Sequence, residues 1–135
     1  AMGTCYQRPG QTEWGVYPLV WRYLCSLDEI DSCGADPESK VLMRKAWLNC
    51  PSVVNLSYDP DWQKESVIWG ICGGDGCALI KRQVLEDIDW GVRPPDTASI
   101  SEDMHFMSQA LYYGYSTACL PNMHVAHMAE NGLGV

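Results

Sequence analysis

Three short segments of the chain carry residue types that could do chemistry. A glycine-rich turn, Gly73-Gly74-Asp75-Gly76, lies between two apolar segments. Ser101-Glu102-Asp103 precedes an apolar pattern with helical spacing, and His127 follows an apolar segment that ends at Pro121. A carboxylate can accept a proton, neutral imidazole can bind a divalent metal ion, and glycine lets a ligand approach the backbone closely. Each segment alone also has a structural explanation, as a turn, as acidic partners of a helix dipole, or as a surface histidine.

The elements that must position these residues alternate between helices and strands. Ser99 and Glu102 have capping-box spacing, Ser101 is a second candidate cap, and Gly114 suits the end of the same helix. Asp36 and Pro37 open another helix. The predicted helices span 17–31, 37–50, 83–88 and 101–113, and the predicted strands span 53–58, 67–72, 77–80 and 116–120, with a loop at 89–98. This alternation predicts an α/β fold with a mixed sheet and flanking helices.

Length and composition bound the architecture. The 135 residues, 47% hydrophobic and 19% charged, suit one domain with one core and exclude a disordered tail. Ala1-Met2-Gly3 is typical of a cloning scar, so residues 4–135 are expected to form a single α/β domain. The sequence has no apolar run of about 18 residues, so we expect no membrane span. No signal peptide is visible, and localisation stays undecided.

The net charge argues against one class of partner. Nine basic and seventeen acidic residues give a net charge of −8, and lysine and arginine form no cluster. Such a field repels a phosphate backbone, so we expect no nucleic-acid binding.

Seven cysteines are many for this length. The number is odd, and no pair has the C-x-x-C spacing of a zinc knuckle or a redox motif. Two interpretations stay open, a set of small buried hydrophobic residues or one or more disulfides. Cys72 and Cys77 flank the glycine-rich turn, so they are the pair expected to bond first if disulfides form.

Taken together, the three segments resemble the C-terminal, acceptor-side half of GT-A-fold glycosyltransferases, from about Val67 to Met128. GGDGCALIKRQVLEDI is similar to the glycine-rich loop of that family with its following strand and helix. SEDMHFMSQALYYGY is similar to its acidic-pair helix, and ACLPNMHVAHM to its last core strand and metal-binding histidine. The final segment also resembles polypeptide N-acetylgalactosaminyltransferases. Asp103, where those retaining enzymes carry an amide, favours an inverting, family 2-like type.

The resemblance implies a role for each residue in sugar transfer from a nucleotide-sugar. Asp103 would be the general base, and Glu102 would bind the acceptor or orient that base. Gly73, Gly74, Asp75 and Gly76 would contact the sugar. His127 would ligate a divalent metal, Mn²⁺ or Mg²⁺, which neutralises the departing diphosphate. The implied partners are a nucleotide-sugar donor and a glycan, protein or lipid acceptor.

The donor-binding half of the family is not apparent in this sequence. Asp59-Pro60-Asp61 has the letters of the family's Asp-x-Asp metal motif, but its proline and position favour a turn. We therefore expect a fragment or a minimal relative, active in the parent enzyme and inactive alone. His124 is expected to be structural and His105 exposed. Two alternatives stay open, a non-catalytic module that binds a glycan or a protein, and a disulfide-stabilised secreted interaction domain.

Overall fold

Short strands and helices alternate along the chain. The structure is a computed structural model that describes residues 2–4, 7–8, 17–74 and 77–123. The helices are α1 (Leu27–Ser32), α2 (Pro37–Asn49), α3 (Arg82–Asp87) and α4 (Glu102–Tyr112), with short 3-10 turns at Leu56–Tyr58 and Trp62–Lys64. The strands are β1 (Met2–Thr4), β2 (Gln7–Arg8), β3 (Tyr17–Pro18), β4 (Val20–Tyr23), β5 (Val53–Asn55), β6 (Ile68–Trp69), β7 (Ile71–Gly73), β8 (Ala78–Leu79) and β9 (Ala118–Leu120). The predicted mixed α/β class is confirmed.

Seven of the nine described strands form two sheets. A four-stranded sheet has the order β6-β9-β1-β8, in which β1 runs parallel to β9 and antiparallel to β8. A three-stranded antiparallel sheet has the order β5-β4-β7, and β2 pairs separately with β3. The prediction that segments 78–80 and 116–120 share one sheet is confirmed. Met2 and Gly3, which the sequence pattern set apart from the fold, lie in β1 between them.

Gly70 divides what the sequence pattern predicts as one strand over 67–72. Its φ of +67° lies in the left-handed region, which glycine adopts without a steric penalty. The backbone turns there, so that β6 joins the four-stranded sheet and β7 joins the three-stranded one. The Gly70 N–H donates to the Thr117 carbonyl at 2.8 Å. Gly70 therefore links the two sheets.

The predicted helix over 17–31 is wrong for most of its length. Residues 17–18 and 20–23 form β3 and β4, and only Leu27–Ser32 are helical. β4 pairs with β5 on one side and β7 on the other, and Val20 is buried. Val, Trp and Tyr favour strands, so this pairing overrides a helical spacing of apolar residues. The predicted strand over 53–58 is also shortened, since its second half is a 3-10 turn.

The caps that predict α2 and α4 are present. The Asp36 carboxylate accepts the Ser39 N–H at 2.9 Å, and hydrogen bonds from Ser39 lower the pKa of Asp36. Of the two candidate caps of α4, Ser99 and Ser101, it is Ser101 that caps the helix. The caps do not determine which face is buried, however, since in α2 Leu42 is exposed and Trp47 is buried. Caps depend on adjacent residues alone, whereas burial depends on the rest of the fold.

The main core lies between α4 and the three-stranded sheet. Met104 and Met107 of α4 share a buried cluster with Val20 of β4 and Ile71 and Cys72 of β7. Burying each such side chain contributes about 1.5–3 kcal/mol. A second cluster joins α3 to the other side of α4. The helix is therefore held on two sides. None of the described helices is long and apolar enough to cross a bilayer.

The cysteines divide between the two interpretations. Cys72 is a buried free thiol, and burial raises its pKa to about 12. Cys72 and Cys77, the pair to test first for a disulfide, are therefore not bonded to each other, because Cys72 fills the core as a small hydrophobic residue. Cys119, buried in β9, is disulfide-bonded. Both interpretations thus apply, to different residues.

Candidate functional site

The amino end of α4 carries the predicted catalytic carboxylates. Ser101 Oγ accepts the Met104 N–H at 3.5 Å, which places Glu102 and Asp103 in the first helical turn. Glu102 is exposed, and Asp103 is half-buried. The free backbone N–H groups and the helix dipole at this end stabilise negative charge. The arrangement therefore holds two carboxylates at the surface, as the sequence predicts.

Gly73 and Gly74 lie at the end of β7. A Cβ built on Gly73 would come within 2.8 Å of the Leu19 carbonyl oxygen, which is closer than real Cβ contacts allow. The Gly74 N–H donates to the same oxygen at 3.1 Å. The close contact of Gly73 is therefore with the Leu19 backbone, and contact with a sugar stays a prediction. Asp75 and Gly76 lie outside the described residues.

α4, which carries Glu102 and Asp103 in its first turn, packs against β7, which ends at Gly73. Met104, in the first turn of α4, shares a buried cluster with Ile71 and Cys72 of β7 and with Val20, whose strand partner is Gly73. The predicted site requires Glu102 and Asp103 to lie near Gly73 and Gly74, and this proximity stays a prediction.

The described residues offer no complete metal centre. Among them, no group of three histidine, cysteine or acidic residues could hold a metal ion. His127, the predicted ligand, and His124 both lie outside the described part of the chain. Asp59 and Asp61 form ion pairs with Arg22 and Lys64 at 3.4 and 2.6 Å. They flank the predicted turn, where the Asp61 N–H donates to Asp59 Oδ1 at 3.0 Å.

His105 is buried, although the sequence analysis predicts an exposed side chain. It is only 4% exposed, one turn into α4, and burial lowers its pKa. Its Nδ1 atom has no hydrogen-bond partner among the described residues, and neither does Nε2 of Gln109, one turn later. The expectation of an exposed His105 is wrong because α4 is packed on more than one side.

A large cleft lies at the other end of α4. It has a volume of about 640 Å³ and is lined by residues of β4, α1, α2, β6 and α4 and of the segment after α4, among them Arg22, Trp47, Trp69 and Tyr115. A second cleft of about 520 Å³ shares Trp69 and Tyr115 with it. Sequence reasoning missed both clefts. Trp69 offered a signal, because alternation with the apolar Ile68 turns an aromatic ring of that strand towards solvent.

Comparisons with known proteins leave this site to be judged on its own geometry. No protein-family model matches the chain, no curated protein matches its sequence, and no solved structure matches its fold.

Proposed function

We propose that the chain is the acceptor-side domain of an inverting glycosyltransferase, which moves a sugar from a nucleotide-sugar to an acceptor hydroxyl. The observation that carries the proposal is the placement of Glu102 and Asp103 at the capped start of α4. The packing of α4 against β7, the strand that ends at Gly73, also supports the proposal. The order of strand, helix and strand after the glycines supports the proposal as well.

Asp103 is the proposed general base. Its carboxylate accepts the proton of the acceptor hydroxyl while that oxygen forms a bond to the anomeric carbon. The bond from the anomeric carbon to the diphosphate oxygen breaks at the same time, and its electron pair leaves with the diphosphate. Glu102, which is more exposed than Asp103, binds the acceptor or orients the base.

A bound Mn²⁺ or Mg²⁺ would neutralise the charge that develops on the diphosphate. The described residues do not form a site for it, because Asp59 and Asp61 are already paired with basic side chains. We therefore expect only weak Mn²⁺ binding by this chain. Calorimetry measures it, and tight stoichiometric binding that Asp59→Ala and Asp61→Ala abolish would contradict the assignment of this segment as a turn.

The proposal is tested by sugar transfer in a protein that contains this chain and a donor-binding domain. Asp103→Asn keeps the shape of the side chain but cannot accept the proton, so transfer should fall by about 10²–10⁴-fold. Glu38→Gln, a change of another carboxylate in a first helical turn, is the matched control and should leave the rate unchanged. A fully active Asp103→Asn protein would remove the base and favour a retaining mechanism. Glycan binding without any transfer would favour the non-catalytic alternative.

A further inference from the structure

The cleft at the carboxyl end of α4 is distinct from the proposed catalytic end. α4 has 11 residues, so its two ends lie about 16 Å apart at about 1.5 Å per residue. The cleft is formed by β4, the start of α1, α2, the end of β6 and the segment that follows α4. Because it shares Trp69, Gly114, Tyr115 and Ser116 with the second cleft, the two form one continuous groove.

Trp69 stands at the junction of the two clefts. It lies on β6, the edge strand of the four-stranded sheet, and is 67% exposed although its neighbour Ile68 is buried. An exposed indole beside polar groups offers a flat apolar surface with a hydrogen-bond donor at its edge. The apolar C–H face of a pyranose ring fits such a surface. Trp69 is therefore suited to stack on a sugar.

Arg22 brings a fixed cationic side chain to the wall of the cleft. Its Nη2 atom donates to Glu65 at 3.0 Å and lies 3.4 Å from Asp59, which fixes the guanidinium. The Nε atom is buried, so a ligand in the cleft meets the accessible part of the side chain, which is 38% exposed. A hydroxyl oxygen can accept a hydrogen bond from a guanidinium held in this way.

The charges around the cleft select the class of ligand. Two carboxylates, Asp59 and Glu65, already neutralise Arg22, and Asp28 lines the same cleft. The chain as a whole carries a net charge of −8. Lys81 lines the second cleft, so the repulsion of a phosphate or an acidic sugar applies to the first one, at Asp28. Hydroxyl groups there can both accept from Arg22 and donate to Asp28.

We propose that this cleft binds a sugar residue of an uncharged glycan, with the ring on Trp69 and a hydroxyl oxygen at the Arg22 guanidinium. The proposal goes beyond sugar transfer and does not depend on it. In a transferring enzyme the site would hold a part of the glycan remote from the reacting hydroxyl. In a chain without activity it would still bind.

The test is binding of neutral disaccharides, namely maltose, cellobiose, lactose, mannobiose and chitobiose, each at up to about 10 mM. Tryptophan fluorescence and saturation-transfer NMR are the readouts. We expect saturable binding of at least one, with a Kd about tenfold weaker in Trp69→Ala and in Arg22→Lys, and largely restored in Trp69→Phe. Tyr58→Ala removes another exposed ring, which lines neither cleft, and should leave the Kd unchanged. Asp103→Asn should also bind normally, which separates this test from that of the transfer activity.

Several results would contradict the proposed glycan binding. Absence of saturable binding across the panel would overturn the proposal. Binding that Trp69→Ala leaves unaltered would place the sugar elsewhere and would also overturn it. Stronger binding of sialyllactose than of lactose would contradict the charge argument, and binding of an uncharged peptide in place of every sugar would assign the groove to a protein partner.

Discussion

The two ends of α4 differ in how they are built. The amino end combines adjacent residues, Ser101, Glu102 and Asp103, and presents two carboxylates in the first helical turn, one exposed and one half-buried. The carboxyl end is a cleft to which distant segments contribute Arg22, Trp47, Trp69 and Tyr115. The first has groups suited to proton transfer, and the second has a shape and a donor suited to binding. In our account, chemistry and glycan binding are separated along one helix.

The largest effect on stability is expected at Gly73, at the end of β7. A Cβ there would contact the Leu19 carbonyl oxygen at 2.8 Å, so β4 and β7 must move apart. Gly73→Ala should lower the free energy of unfolding by about 1–3 kcal/mol, measured by urea denaturation. Gly34→Ala is the matched control, because a Cβ at Gly34 meets nothing within 4 Å. Equal stability of the two variants would show that Gly73 is not needed for packing.

Substitutions at the two caps of α4 allow a direct comparison of the two ends of the helix. Gly114 has a φ of +90°, and the Gly114 and Tyr115 N–H groups donate to the carbonyls of Leu111 and Ala110 in a Schellman motif. Ser101→Ala should cost about 1 kcal/mol through the lost cap, and Gly114→Ala about 1–2 kcal/mol through the strained backbone. Thermal denaturation measures both. The two substitutions should also differ in their effect on sugar transfer, since only Ser101→Ala disturbs the carboxylates. If Gly114→Ala weakened transfer and left glycan binding intact, the separation would be wrong.

A smaller effect is expected from His105, which lies between the two ends. Burial lowers its folded-state pKa below the ordinary value of 6.5, so the unfolded state binds the proton more readily. Stability is therefore complete above about pH 6.5 and declines as the pH falls through the folded-state pKa. His105→Leu should have a flatter dependence of unfolding free energy on pH in this window. Asp36 also has a lowered pKa, but it titrates below 3.8, outside that window. An unchanged slope in His105→Leu would contradict the assignment of His105 as a buried neutral side chain.

The sequence predicts features that depend on neighbouring residues. Asp36, Ser101 and Gly114 act through hydrogen bonds or dihedral angles within one turn, and the ends of α2 and α4 follow from them. The helix predicted over 17–31 fails because β4 is stabilised by pairing with β5 and β7, which lie about 30 and 50 residues later in the chain.

The cleft could not be predicted for the same reason. Arg22 and Trp69 become neighbours only after β4 and β6 take their places in different sheets, and Gly70 sets the bend between those sheets. The buried position of His105 likewise depends on packing on both sides of α4.

The separation of the two ends is tested most directly by steady-state transfer kinetics on Asp103→Asn and Trp69→Ala, in a protein that contains this chain and a donor-binding domain. Asp103→Asn should lower kcat by about 10²–10⁴-fold and leave the affinity for the glycan acceptor unchanged. Trp69→Ala should raise KM for that acceptor by about tenfold and leave kcat unchanged. A fall of kcat in Trp69→Ala as large as in Asp103→Asn, or a normal kcat in Asp103→Asn, would contradict the account.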